Sequence, residues 1–331
     1  MSNWGATNTE NETFQYCFPN NNLSCTKNVK PGFEYIIVYI FISTISVFTV
    51  FLNLLVIISI SHFKQLHTPT NVLIFSLAVA DLIVGLILMP VQGIKLIEPC
   101  WFFGEIFCSI FPFIFYVVVT ASLGNLIIIS VDRYIAVNDP LRYASRVNIN
   151  RAVFSIVANW VFSFVYSLFI LYDSLLYPEK NYTCIGECIL VIKLGYIITD
   201  VLVTLVTPCC LIITLYLKIC IVAKKQAKHI NSLTDKKAKS EKKAARTLGI
   251  IVMVYLLCWI PYYIAALTVG QDTGDSFVIN IMYWILCMNS CMNPLIYAMF
   301  YKWFRISAKY ILTLKIFKPS SEYFNLFMEE K

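Results

Sequence analysis

Seven apolar stretches, each long enough to cross a bilayer as a helix, constrain this chain more than any other feature. They run near Phe33–Ser61, Val72–Ile94, Glu105–Ala136, Ala152–Leu175, Leu190–Val222, Lys243–Thr268 and Ser276–Phe300. A hydrocarbon core of about 30 Å takes about 20 apolar residues as a helix. Barrel strands are about ten residues of strict alternation, which these runs are not. Composition agrees: 59% of the 331 residues are hydrophobic and 14% are charged, more apolar surface than a soluble fold can hide. The expected fold class is an all-α membrane protein, a bundle of seven transmembrane helices.

Orientation follows from the basic residues, which concentrate on the cytoplasmic side. Arg142, Arg146 and Arg151 lie between the third and fourth runs; nine Lys and Arg from Lys224 to Arg246 lie between the fifth and sixth; Lys302, Arg305 and Lys309 follow the seventh. The formal charge of +7 is mostly this orientation signal, not a nucleic-acid footprint. It places the N-terminus outside, with the plasma membrane as the expected location. Three sequons, at Asn11, Asn22 and Asn181, fall on the same outer side and are candidate glycosylation sites. The first thirty residues are polar, so no cleavable signal peptide is expected. The chain divides into an extracellular glycosylated segment 1–32, a membrane domain 33–300 and a cytoplasmic segment 301–331. In the last, Trp303, Phe304, Ile306, Tyr310, Ile311 and Leu314 against Lys302, Arg305 and Lys309 predict an amphipathic helix along the inner face.

Six of the twelve cysteines also fall outside: Cys17, Cys25, Cys100, Cys108, Cys184 and Cys188. An even number in an oxidising compartment predicts three disulfides, and spacing leaves fifteen pairings open.

Polar groups at membrane depth are costly and mark function. Asp81 sits mid-span in the second run, with Asn53, Ser122, Asn289, Ser290 and Asn293 at similar depth. One carboxylate with several neutral oxygens suits a small hard cation, so Asp81, Ser122, Asn289 and Asn293 form a candidate sodium site. No other cofactor is expected. At the inner end of the third run stands Asp132-Arg133-Tyr134, and Glu241 precedes Pro261 by 20 residues, roughly 30 Å of helix. Arg133 and Glu241 are therefore expected to meet near the inner surface as a two-state latch between helices 3 and 6. Pro208 and Cys258-Trp259-Ile-Pro261 remove backbone hydrogen bonds and bend their helices.

In order along the chain, Asn53, Leu77-Ala-Val-Ala-Asp81, Asp132-Arg133-Tyr134, Pro140-Leu-Arg-Tyr143, Trp160, Pro208, Cys258-Trp-Ile-Pro261 and Asn293-Pro-Leu-Ile-Tyr297 resemble the rhodopsin-like G-protein-coupled receptors. The end of helix 7 is more specific. Asn289-Ser290-x-x-Asn293-Pro294-x-x-Tyr297-x-x-x-Tyr301-x-Trp303-Phe304 is similar to the fingerprint of trace amine-associated receptors, as are Cys184-Ile-Gly-Glu-Cys188 and Cys100-Trp-Phe-Phe-Gly. The resemblance implies disulfides Cys108–Cys188, Cys17–Cys184 and Cys25–Cys100. It implies a receptor, mostly olfactory and in sensory cilia, that binds small amines and activates a stimulatory G protein to raise cyclic AMP. Arg133, Pro140 and Leu141 with the inner ends of helices 5 and 6 would dock that G protein, and Tyr216 and Tyr297 would steady the active state.

The chain departs from the family at the amine anchor. Most amine receptors place an Asp seven residues after the helix 3 disulfide cysteine; here that position is Phe115, and the supporting helix 7 Tyr is Cys287. Asp200, eight residues before Pro208, is the other carboxylate available, and Tyr196, Asp200 and Thr204 share one helical face. An ammonium against Asp200 would make a charge-assisted hydrogen bond, with Phe115, Tyr116, Trp259, Tyr262, Tyr263 and Tyr283 adding cation–π attraction. The amine would then lie with its charged end toward helix 5. Two alternatives stand beside this: Asp200 paired with Lys193 or protonated, and a non-amine ligand with Asp200 structural. A retinal receptor is excluded by the absence of lysine from Ser276–Tyr301, and His62, His67 and His229 form no metal or nucleophile spacing, so no enzyme is expected.

Overall fold

Six of the apolar runs form helices that are each long and apolar enough to cross a membrane. They are α1 (Phe33–His62), α2 (Pro69–Ile97), α3 (Gly104–Asn138), α4 (Ile149–Ile170), α5 (Leu194–Asp200 and Thr207–His229, joined by a π-helical turn Val201–Val206) and α6 (Asp235–Thr268). The seventh, α7, comes in two pieces, Phe277–Cys287 and Asn289–Phe300, and α8 (Lys302–Leu312) follows it. These belong to a computed structural model that describes residues 15–27, 33–98, 100–139, 141–177, 184–190, 192–229, 235–268 and 277–326, without the side chains at 27, 33–35, 223–229, 235–248, 252 and 277. The fourth run ends earlier than expected, at Ile170, and a short turn Tyr172–Leu176 follows; the fifth starts at Leu194.

Burial is inverted relative to a soluble protein. Phe154, Val157, Val161 and Phe164 of α4 point outward into what must be lipid. Polar Asn53, Asp81, Asn125, Asn159 and Ser163 face the bundle centre. There α3 packs against α2, α4, α5 and α6.

Prolines inside the bundle free backbone carbonyls, and side chains from neighbouring helices fill them. Pro294 has no N–H for the Ser290 carbonyl, which instead accepts from Asn53 Nδ2 at 3.1 Å. Pro208 leaves the Thr204 carbonyl free, and the Tyr255 hydroxyl donates to it at 2.5 Å. In hydrocarbon an unpaired carbonyl is costly, so each such bond fixes one helix against another.

Close helix contact is sharpest at Gly124. Trp160 Nε1 of α4 donates to Ser76 of α2 at 3.1 Å, and Asn159 Nδ2 donates to the Ala121 carbonyl at 2.8 Å. A Cβ at Gly124 would lie 1.8 Å from Asn159 Oδ1. Helix propensity favours Ala over Gly by only ~0.5–1 kcal/mol. Overpacking costs ~1–3 kcal/mol and the broken buried hydrogen bond about as much again. Gly124→Ala is therefore expected to lower the thermal unfolding midpoint and surface level; an unchanged midpoint would mean that α3 and α4 separate there at no cost.

One end of the bundle is capped by a hairpin, β1 (Gln15–Tyr16) paired antiparallel with β2 (Thr26–Lys27). Cys108 joins Cys188. The other two bonds correct the expected pairing: Cys17 joins Cys100 and Cys25 joins Cys184. The backbone explains the exchange. Ser24 bridges Ile185, with Cys25 N–H on the Ile185 carbonyl at 2.9 Å, so Cys25 meets the adjacent Cys184. The hairpin then carries Cys17 across to Gly186, whose carbonyl accepts from Trp101 N–H at 2.8 Å, next to Cys100. Gly186 has φ +103°, and a Cβ there would sit 2.9 Å from Cys17 Cβ. Asn22 is exposed in the hairpin turn; Asn11 and Asn181 lie outside the described residues.

At the opposite end α8 buries Trp303, Phe304 and Ser307. The chain beyond it returns to the loop between α1 and α2. Lys64 pairs with Glu322 at 2.8 Å, Phe324 stacks on Tyr310 at 4.5 Å, and Leu326 is fully buried with its N–H on Gln65.

Candidate ligand-binding site

Asp200 ends the first piece of α5 and is 5% exposed. Three hydroxyls surround it. Tyr166 of α4 donates to Oδ1 at 2.8 Å, and Tyr263 of α6 donates to Oδ2 at 3.0 Å. Thr204, one turn on, donates to the Asp200 main-chain carbonyl at 2.7 Å and also touches the Tyr263 hydroxyl. Lys193 is elsewhere: its ammonium meets Asp173 at 2.6 Å, which raises its pKa above the ordinary lysine value. Among the described residues, no Lys or Arg is paired with Asp200. A buried carboxylate held only by neutral donors lacks a counter-charge.

Asp200 and Thr204 open on a small cavity with Phe115, Tyr116, Trp259, Tyr262 and Tyr263. Its volume, about 10 Å³, holds roughly one water, so a ligand must spread the rings. Phe115 stacks on Tyr283 at 4.1 Å, and Tyr262 meets Tyr263 edge-on at 5.3 Å. Phe115 thus fills the place where the usual helix 3 anchor would be. Tyr283 stacks on Phe115 and is not among the lining residues, while Trp259 lines the cavity and its buried Nε1 has no hydrogen-bond partner among the described residues. Tyr196 turns aside to Phe169 of α4.

Below Trp259, Asp81 is fully buried. Ser122 donates to its Oδ1 at 3.2 Å and Asn293 Nδ2 to its Oδ2 at 2.7 Å. Asn289 lines the adjoining cavity with Ser122 and Ser290, and no Asn289–Asp81 hydrogen bond is present among the described residues.

At the end of the bundle that carries α8, Asp132 collects Arg133 Nε at 3.0 Å, Thr70 Oγ1 at 2.8 Å and the Tyr143 hydroxyl at 2.7 Å. Arg133 also donates to Thr70. Glu241 lies on α6, but its side chain is outside the described residues, as is Pro140. Lys218 sits 5.9 Å over the Tyr134 ring, Tyr216 packs against Gly249 of α6, and Tyr297 is buried against Tyr301.

The residues that sequence reasoning missed are Tyr166, Tyr255 and Thr70. A membrane-depth Asp needs donors, and a proline at 208 orphans the carbonyl at 204, so both signals pointed to missing hydroxyls without saying which helix supplies them.

The chain matches the 7 transmembrane receptor (rhodopsin family) model over residues 52–297. It is 37% identical to trace amine-associated receptor 13c of Danio rerio, covering 96% of this chain and 98% of that one. It is 39% identical to trace amine-associated receptor 6 of Homo sapiens over 95% and 96%, and 40% identical to receptor 7e of Rattus norvegicus over 95% and 93%. With its bundle, its buried motif residues and relatives at this identity along nearly the whole length, the chain belongs to the trace amine-associated receptors of the rhodopsin family.

Proposed function

We propose that this G-protein-coupled receptor senses small amines, holding the ligand ammonium at Asp200 with the charged end toward α5. The observation that carries the reading is the buried Asp200 carboxylate, opening on an aromatic cavity with hydroxyl partners and, among the described residues, no cation. A protonated amine supplies the missing charge, and Phe115, Tyr116, Trp259, Tyr262 and Tyr263 receive its flanks. Spreading those rings moves Tyr263 and Trp259, which flank Pro261, so ligand entry acts on the bend of α6. The signal then passes to a stimulatory G protein and cyclic AMP, at the plasma membrane of a sensory cilium with the N-terminus outside. The cytoplasmic surface supports docking: Leu141 is 94% exposed beside the Arg133 cluster. A sodium ion would be held by Asp81 and Ser122 oxygens, damping activation from below.

The test is a cyclic AMP response in transfected cells to monoamines, diamines and uncharged odorants. Responses confined to monoamines are expected, since one cavity carboxylate is present. Silence to every amine, with the receptor at the surface and an uncharged compound active, overturns the reading.

A further inference from the structure

At the end of the bundle that carries the hairpin, two loops leave large apolar side chains uncovered. Phe18 and Phe102 meet edge-on at 6.1 Å, and Phe102 is still 51% exposed. Phe103, beside it, is exposed as well. The Cys17–Cys100 disulfide lies next to both rings of that pair and ties the hairpin to the loop before α3. This patch runs on into a surface that must face lipid. Ile106 and Ile110 of α3, four residues apart and so on one face, are both exposed, Ile106 by 79%. Phe113, one turn further, meets the lipid-facing Phe164 of α4 at 5.3 Å.

Depth agrees with that continuity. From Ile106 to Arg133, α3 rises roughly 40 Å. A tilt of about 20° leaves ~38 Å of that rise across a bilayer that is ~40–45 Å thick with its headgroups. Arg133 and Ile106 then lie in opposite headgroup layers. Glu105 marks the same boundary, since it is exposed one residue before Ile106 and about 100° around the helix. A carboxylate that needs water and an isoleucine that needs lipid thus sit side by side.

We propose that Phe18, Phe102 and Phe103 form a membrane foot: the hairpin and the loop before α3, locked together by Cys17–Cys100, rest in the headgroup layer of the bilayer. The occupant is lipid because the patch extends the lipid face of α3 without a break, and contiguous apolar surface of this kind marks a membrane contact. Aromatic rings suit the headgroup level, where apolar and polar surroundings meet. The disulfide fixes both loops beforehand, so settling on the membrane orders little further chain. Burying two phenyl rings even in part favours the seated arrangement over a water-facing one by about tenfold or more. The same cross-linked unit reaches Cys184 through Cys25, so the foot sets the level of the whole cap against the bilayer.

The test replaces Phe18, Phe102 or Ile110, one per variant, with the photo-cross-linking amino acid p-benzoylphenylalanine. The full chain is placed in phosphatidylcholine nanodiscs and irradiated, and lipid adducts on the matching peptide are counted by mass spectrometry. Ile110, on the lipid face of α3, is the reference. Adduct yields at positions 18 and 102 are expected within about threefold of the reference. Yields lower than the reference by about tenfold or more at both positions overturn the proposal, because the rings then face water. Lipid adducts at position 102 without any at position 18 overturn it too, since the hairpin would stand clear of the membrane. Adducts that join two receptor chains in place of lipid would make the patch an interface between copies, and they also overturn it. The same probe at position 103 reads the loop before α3 if the variant at 102 folds poorly.

Discussion

Asp200→Ala is expected to reduce the potency of amine agonists by about 100- to 1000-fold while the receptor still reaches the cell surface. Truncating one partner of a desolvated charge pair costs ~3–5 kcal/mol, and each 1.4 kcal/mol is about a factor of ten. The unliganded receptor should tolerate the change better. Tyr166 and Tyr263 each lose an acceptor, a penalty of ~1–3 kcal/mol apiece, but the carboxylate that had to be desolvated is gone as well. Asp200→Asn separates these effects in part, since it keeps the shape and one acceptor oxygen, removes the charge and turns the other oxygen into an NH2 donor. Both variants should therefore lose amine potency, with Asp200→Asn the more stable of the two. Dose–response curves normalised to surface receptor measure this, and unchanged potency in Asp200→Asn would show that the ammonium lies elsewhere.

Much of this architecture was legible in the residues, and the reasons are physical. Apolar run length specifies membrane helices directly, because hydrocarbon forbids an unpaired backbone. The same constraint predicts that Pro294 and Pro208 need donors from outside their helices, and Asn53 and Tyr255 supply them. Which neighbour reaches across depends on helix rotation and crossing. For that reason Asp200 was recognisable as a candidate while its partner Tyr166, 34 residues earlier on another helix, was not. Disulfide partners are hidden in the same way. Cys17 and Cys25 lie eight residues apart on one hairpin, and only its bridge to Ile185 decides which of them meets Cys184. The division of the chain at residue 301 likewise says nothing of Leu326 returning to Gln65.

Asp132→Asn is expected to raise ligand-independent G-protein activation about 10- to 100-fold, up to the ceiling set by full agonist. In the resting arrangement Asp132 receives Arg133, Thr70 and Tyr143, so one carboxylate gathers α3, α2 and the following loop. For Arg133 to face a G protein, its guanidinium must leave that carboxylate. A hydrogen bond to a charged group is worth ~1.5–3 kcal/mol, and removing it shifts the resting-to-active balance by the corresponding factor. Tyr143→Phe takes away one neutral donor and leaves the Arg133–Asp132 ion pair in place, so it should raise basal activity less than Asp132→Asn does. Arg133→Ala loosens the same cluster yet should be silent, because the group that must be exposed is itself removed. Opposite outcomes from two substitutions in one ion pair would distinguish a switch from a structural tie. Guanine-nucleotide exchange in membranes, without ligand, reads all three variants. If Asp132→Asn left basal exchange unchanged, the pair would be a packing feature of this end of the bundle, and the barrier to activation would have to lie at α6.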